Sequence, residues 1–565
     1  MTVYGNPTTR NLPHMRILLL VSAFNGLTQR VWCDLKENGH DVGVLLAPVH
    51  DEASMTEAVD EIAPELILCP FLKHRVPESI WGRYPTVVIH PGAVGDRGPS
   101  SLDHATLDGR DRWGVTALSA VEEMDAGPVW ATKTFAMPEV PIAKSALYNG
   151  PVADAAMDCV AEVLRMVAAG ERPKPAEEWP VEVAGTGELP LLRRKAFEID
   201  WSAPATEIAR RIAAADGAPG APATIDGMTY CLFDAATTTE DNPGATPGTV
   251  VGVDTDAVAI ATGEGTLWVG YAATLAAKRG PKLPAAWVLE TEHAPYRAMP
   301  EALAESTYER EGDIGYLTIR SYSGAMHTQQ CHRLTDAVRK ALVEDTAILV
   351  VRGTEHAFSN GIHLGVIEAA PDPAAEAWDN IRAIDELCLA LAEAEQLTIA
   401  AFTANAGAGG VMAGLCADIT VAREGVVLNP YYDMGIFGSE LHTWGLPSRV
   451  GNEKADELLG AKLPISAAEA ARIGMISDLG PREAAAFDGW LRALAKSYVE
   501  PEAYVPALAA RESRRACAMP MSYYQSIELA EMARDIFDDR YGFAAKRKAF
   551  ITKAAPTETP AKIRF

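Results

Sequence analysis

The chain has 565 residues, with 50 lysines and arginines against 76 aspartates and glutamates and a net charge of -26. That length exceeds a single hydrophobic core and predicts two to four domains. A field of that sign repels nucleic acid and anionic membrane, yet admits an anionic small molecule to a local basic pocket, because salt screens it beyond roughly 8 Å.

The eight cysteines show no metal-ligand spacing, no apolar run approaches a membrane span, and the polar start Met1–His14 lacks a signal-peptide core. These features predict a soluble cytoplasmic protein with reduced thiols, no metal site, and neither nucleic acid nor membrane as partner. From Met15 onward, apolar strands at Ile17–Ser22, Val42–Leu46 and Leu66–Pro70 alternate with helical stretches at Gln29–Asn38 and Thr56–Ile62. That alternation predicts a parallel sheet with crossover helices. The β-branched run Pro85–Ile89 predicts another buried strand, stopping at His90, and a loop rich in Gly, Pro, Asp, Arg and Ser follows to Ser101. Open α/β sheets bind ligands where parallel strands end, so His90 is a candidate site residue. A strand at Val115–Ala120 leads into Val121–Pro128, where Asp125 stands beside a Gly-Pro turn. A carboxylate there can orient and charge-stabilise an imidazole. The amphipathic helix Ala153–Ala169 closes this segment, and the Pro-rich stretch Glu171–Pro180 reads as a stiff linker.

Between about Leu189 and Thr307, a helix at Ala205–Ala215 precedes short strands at Ile225–Phe233, Gly248–Val253, Ala257–Ala261 and Thr266–Gly270. Strands at that spacing predict a small OB-like β-barrel. From Gly312, strands at Gly315–Arg320 and Ala347–Arg352 flank a helix and open a further α/β segment. Two Gly-rich turns follow, Ala357–Leu364 and Asn405–Ala413, and on the residues alone either is a close-packing turn. Beyond them lie Tyr431 and Tyr432 in Asn429–Tyr432, and Glu440 in Gly438-Ser-Glu-Leu-His442.

In pattern, order and spacing, the loops carrying His90 and Asp125 resemble the formyltransferases that use 10-formyltetrahydrofolate. The resemblance implies that His90 and Asp125 are the catalytic pair. It extends to Pro70-Phe-Leu-Lys-His-Arg-Val-Pro77, whose counterpart holds the pterin, and so implies Phe71, Lys73 and Arg75, with Val121 and Glu122, as folate-binding residues. The family's asparagine two residues before the histidine is Val88 here. Losing such an oxyanion donor typically costs on the order of a hundredfold in rate. Arg194–Ser202 and Asp216–Gly220 look like the C-terminal domain of methionyl-tRNA formyltransferase.

The paired Gly turns resemble the crotonase (enoyl-CoA hydratase/isomerase) superfamily, in which one backbone N–H from each turn binds the thioester oxygen of an acyl-CoA. By position these are the amides of Ile362 and Gly409. The same resemblance implies Gly324, Met326, Asn360 and His363 as CoA-binding residues, and matches Lys546 and Lys548 to a terminal helix that meets the CoA phosphates. Met412 stands where hydratases carry a glutamate. A thioether cannot relay a proton to water, so hydration of a double bond is not expected. Tyr431 and Glu440 are expected to carry the proton transfers instead, with Tyr432 close by.

Together these motifs resemble the HypX/HoxX family of nickel-iron hydrogenase maturation factors over essentially the whole chain after Met15. The implied architecture is α/β multidomain: a Rossmann-like formyltransferase domain at 15–180, an OB-like β-barrel at 189–307 and a crotonase-like CoA-binding domain at 312–565. The implied reaction is formyl transfer from 10-formyltetrahydrofolate to coenzyme A, followed by decarbonylation of formyl-CoA to carbon monoxide for the hydrogenase iron. Folate and CoA are the implied small molecules, and hydrogenase maturation proteins or the hydrogenase large subunit the implied protein partners. Two other functions fit the same residues: a formyltransferase or hydrolase acting on another acceptor, and a non-catalytic assembly factor that binds folate and CoA.

Overall fold

The computed structural model describes residues 12–275 and 280–565, so the beginning of the polar stretch Met1–His14 lies outside the described residues. Two compact units result. One holds the chain up to residue 275 with Leu283–Leu303 and Ala555–Phe565, the other residues 280–282 with Ala304–Ala554. No helix among the described residues is long and apolar enough to cross a membrane. Cys517 is exposed, the other seven cysteines are buried, and none of the eight is in a disulfide.

The first unit opens with β1 (Arg16–Val21), β2 (Asp41–Leu46), β3 (Leu66–Cys69), β4 (Thr86–His90), β5 (Arg112–Ser119) and β6 (Val129–Ala136), in the sheet order β2-β1-β3-β4-β5-β6. Strands β1 to β4 run parallel, whereas β5 is antiparallel to both β4 and β6. The expected parallel sheet therefore ends in an antiparallel hairpin, because the short Ala120–Pro128 connection cannot make the dozen-residue crossover that parallel pairing requires. Both early helices begin before the apolar periodicity does, at their caps. Asn25 accepts the Thr28 N–H ahead of helix Gly26–Glu37, and Asp51 and Ser54 form a capping box ahead of helix Glu52–Ile62.

The Pro-rich stretch read as a linker is anchored to the sheet: Val129 and Lys174 exchange backbone hydrogen bonds of 2.7 and 2.9 Å. Prolines on either side hold Lys174 extended and ready for such pairing. Further along, strands Ala221–Ile225, Met228–Thr238, Thr266–Thr274, Ala257–Ala261 and Val250–Asp254 form an antiparallel sheet in that spatial order. The run Ile225–Phe233, expected as one strand, is split by Asp226 and Gly227 at φ 48° and 78°. Two consecutive left-handed residues make the tight turn of a hairpin. Helix Ala205–Ala215 buries Ile208 and Ile212 in this core. The end of the chain also belongs to this unit. Arg16 lies 4.6 Å over the Phe565 ring, a Cβ at Gly43 would collide with that ring, and Leu46 N–H donates to Thr559 Oγ1 at 3.0 Å.

The second unit is built on a sheet whose spatial order follows the chain: Ser306–Glu311, Ile314–Ile319, Ile348–Arg352, Leu397–Phe402, Ile419–Arg423 and Asp478–Gly480. The first pair is antiparallel and every later one parallel. The run Leu397–Phe402 is buried throughout, as expected of a strand covered on both faces. Because Ile348–Arg352 and Leu397–Phe402 are parallel neighbours, the two Gly-rich turns that follow them leave the sheet at the same edge.

Candidate functional site

In the first unit, His90 ends β4 and its ring lies between two carboxylates. Nε2 is 2.8 Å from Asp96 Oδ2, and Nδ1 is 3.5 Å from Asp125 Oδ1. The turn after His90 is fixed by its carbonyls: Pro91 O accepts from Ser101 Oγ at 2.7 Å and Trp113 Nε1 at 3.0 Å, and Gly92 O accepts from Thr116 Oγ1 at 2.8 Å. Asp125 sits in the left-handed region at φ 55°, and its Oδ2 accepts the Gly98 N–H at 3.3 Å. The adjacent Gly127 packs so closely on Ser119 O that no side chain would fit. Asp96 was not singled out from the sequence. It lies in the loop that follows His90, but spacing alone does not tell which loop residue folds back onto the ring.

Two cavities adjoin this pair. One of about 150 Å³ is lined by residues including Asp96, Arg97, Thr116 and Asp125, and one of about 40 Å³ by residues including Arg75, Val88, Val121 and Asp125. Asp125 thus walls both. Arg75 Nη2 donates to Glu122 O at 2.9 Å, which joins the loop after β3 to the loop after β5. Phe71 and Lys73 do not line either cavity; the Lys73 ammonium lies 5.3 Å over the Phe71 ring, which meets Tyr148 edge-on. Val88 faces the smaller cavity, so the position that holds an amide in formyltransferases presents only methyl groups here.

In the second unit, the two Gly turns meet. A Cβ at Gly361 would lie 3.4 Å from Gly409 N, and one at Gly410 would collide with Ser359 O. Gly410→Ala is therefore expected to lower unfolding stability by about 1–3 kcal/mol, measured by denaturant titration. Gly324, Met326, Asn360 and Ile362 are contiguous: Met326 pairs with Ile362, and Asn360 N–H donates to Gly324 O at 2.6 Å. His363 is committed to structure, with Nδ1 accepting the Val366 N–H at 3.1 Å as the cap of helix Leu364–Ala369. Burial pushes its imidazole down to about 3, so it is neutral.

Lys546 and Lys548 are exposed on helix Phe543–Thr552. Arg547 between them points inward and bonds Glu368 at 2.8 Å. Arg547→Ala is expected to cost about 2 kcal/mol, less than a fully buried pair because Glu368 is partly solvated, while Lys546→Ala and Lys548→Ala leave the melting temperature unchanged.

Glu440 and Leu441 both adopt left-handed backbone, at φ 62° and 54°. Two buried carboxylates hold them there: Asp385 accepts the Glu440 N–H at 2.8 Å, and Glu528 accepts the N–H groups of Leu441 and Thr443 at 3.0 and 2.8 Å. Tyr432 donates to Glu440 Oε2 at 2.7 Å, whereas Tyr431 donates to Asn429 Oδ1 at 3.1 Å. The tyrosine brought to Glu440 is thus Tyr432, not Tyr431, since neighbouring residues of an irregular segment point apart. A Cβ at Gly409 would collide with the Glu440 carboxyl, which stands directly over that turn. Burial raises the Glu440 carboxyl above the usual carboxylate range, and burial reinforced by the Glu440 charge raises Asp385 well above it. Burial also pushes Glu528 up to about 7. Met412 is buried in the core, consistent with a packing role.

Residues 192–282 match the formyl transferase C-terminal domain, and residues 309–542 match enoyl-CoA hydratase/isomerase. A methionyl-tRNA formyltransferase of Roseiflexus castenholzii is 34% identical over 183 residues, 32% of this chain and 56% of that one. The hydrogenase maturation factor HoxX of Bradyrhizobium diazoefficiens is 37% identical over 558 residues, 97% of each chain. The crystal structure of HypX from Aquifex aeolicus in complex with tetrahydrofolic acid aligns at a TM-score of 0.90 and 34% identity, covering 98% of each chain. With both partial likenesses contained in one match of nearly full length, the chain belongs to the HypX/HoxX family of hydrogenase maturation factors.

Proposed function

We propose that this protein makes carbon monoxide for the iron of a nickel-iron hydrogenase, taking the formyl group of 10-formyltetrahydrofolate and passing it through formyl-CoA. The donor sets suit the two substrates. A guanidinium beside the apolar side chains of Leu72, Val88 and Val121 suits a flat pterin, and the close approach of the Gly361 turn to Gly409 N, with the Glu440 carboxyl over residue 409, suits a thioester carbonyl.

In the first step His90 moves a proton: the C–N10 bond of the folate breaks, a C–S bond to CoA forms, and the thiol proton ends on N10. Asp125 faces the reacting groups from both cavities, and Phe71, Lys73, Arg75, Val121 and Glu122 belong to the folate side. A thiolate needs less help than an amine as a nucleophile, which accommodates Val88 in place of an amide. In the second step the amides of Ile362 and Gly409 hold the formyl oxygen while Glu440, bonded by Tyr432, transfers the formyl proton to sulfur. The C–S bond breaks, leaving CO and free CoA. Gly324, Met326, Asn360 and His363 form the CoA side, with Lys546 and Lys548 toward its phosphates. The receiving partner is a maturation protein or the hydrogenase large subunit.

The observation that carries this reading is the Glu440 carboxyl, buried, bonded by Tyr432 and standing over the Gly409 turn, a proton carrier beside a turn where Met412 supplies none. Anaerobic incubation with CoA and 10-formyltetrahydrofolate bearing a heavy-carbon formyl group tests it, with reduced haemoglobin as the trap. Labelled carbonyl-haemoglobin is expected. Labelled formate or a stable formyl adduct without CO would replace decarbonylation by a hydrolase or transferase activity.

A further inference from the structure

We propose that Asp96 is the positioning residue of the first site: it accepts the Nε2–H of His90, fixing the tautomer and orientation of the ring, and so leaves Asp125 to face the substrates. This rests on the formyl-transfer reading of that site. The two carboxylates are not equivalent. Asp96 Oδ2 is 2.8 Å from Nε2, a direct hydrogen bond, whereas Asp125 Oδ1 is 3.5 Å from Nδ1, too long for a strong one. The Asp96 side chain is 0% exposed and that of Asp125 12%. Asp96 Oδ1 has no hydrogen-bond partner among the described residues, so the ring is the side-chain donor this carboxylate possesses.

The loop is shaped around this contact. A Cβ at Gly92 would collide with both Asp96 Oδ2 and His90 Nε2. Gly95 at φ 86° and Gly98 at φ 117° reverse the chain on either side of Asp96, conformations that side chains rarely adopt. A donating Nε2 makes Nδ1 the accepting nitrogen. Nδ1 is turned toward Asp125, the residue that walls both cavities. The logic is that of an aspartate which orients a catalytic histidine without reacting itself. In formyl transfer, Nδ1 takes the thiol proton and returns it to N10 of the departing folate, while the Nε2 proton stays on the ring throughout.

The test is nitrogen NMR of the full chain labelled with ¹⁵N-histidine, with the His90 signals assigned from their loss in His90→Gln, together with single-turnover consumption of 10-formyltetrahydrofolate. The wild type should show His90 as the Nε2–H tautomer. Asp96→Asn should scramble that tautomer and slow consumption by about 10²–10⁴-fold with folate affinity unchanged, because Asp96 does not line the smaller cavity. Asp125→Asn should slow the reaction and keep the tautomer. A wild-type Nδ1–H tautomer overturns the assignment without recourse to any variant, as does tautomer loss in Asp125→Asn but not in Asp96→Asn. A wild type with the Nε2–H tautomer that leaves 10-formyltetrahydrofolate untouched would instead count against the proposed reaction alone.

Discussion

His90→Gln is expected to lower consumption of 10-formyltetrahydrofolate by about 10³-fold while the protein stays folded, since a positioned general acid or base contributes about 10²–10⁴. Glutamine is the informative replacement. Its amide can still donate to Asp96, which is buried and bonds Nε2 at 2.8 Å, but it cannot accept and release a proton. His90→Ala should show the same kinetic loss plus a stability loss of about 1–3 kcal/mol, because it strands that buried carboxylate. Single-turnover assays paired with thermal unfolding separate the two effects. Retention of more than a tenth of the wild-type rate in His90→Gln would remove the imidazole from proton transfer.

Glu440→Gln is expected to separate the two steps. Folate should still be consumed in the presence of CoA, but CO should fall at least about a hundredfold, with formyl-CoA or the formate from its hydrolysis appearing in its place. The isosteric amide keeps an oxygen for Tyr432 and for the Ser439 N–H, which bond the carboxyl at 2.7 and 3.2 Å. What it loses is a titrating proton. Tyr432→Phe should lower CO about tenfold, and Tyr431→Phe, whose hydroxyl meets Asn429, should leave it within about twofold. Trapping CO and quantifying thioester in the same reaction reads both steps. Unchanged CO release in Glu440→Gln would exclude the carboxyl as the proton carrier, and a larger loss in Tyr431→Phe than in Tyr432→Phe would reverse the pairing seen here.

Much of this architecture was legible before the fold. His90 was placed by a β-branched run that stops at it, and the Gly turns by composition, because both signals are local. The helix Ala205–Ala215 was read to the residue. Two readings fell short for different reasons: Asp226-Gly227 is itself a hairpin-turn signal that a single strand over Ile225–Phe233 overrides, and the edge pairing of the Pro-rich Glu171–Pro180 leaves no mark in composition. Tyr431 and Tyr432 differ by one position in the chain but by their partners in space, and no periodicity covers an irregular segment.

The sequence by itself determined the chemistry available to this protein: a histidine at a strand end, paired glycine turns, a methionine where hydration needs an acid, and the family to which their order belongs. Those are properties of residue type and spacing, which the chain carries whatever its conformation. Only the tertiary structure decided which groups act on which. Asp96 reaches His90 because glycines reverse its loop, Tyr432 reaches Glu440 because Asp385 and Glu528 hold the Glu440–Leu441 backbone left-handed, and Phe565 closes on Gly43 from the far end of the chain. Hydrogen bonds form over about 3 Å between atoms whose sequence separation imposes nothing, so such pairings are settled by packing alone.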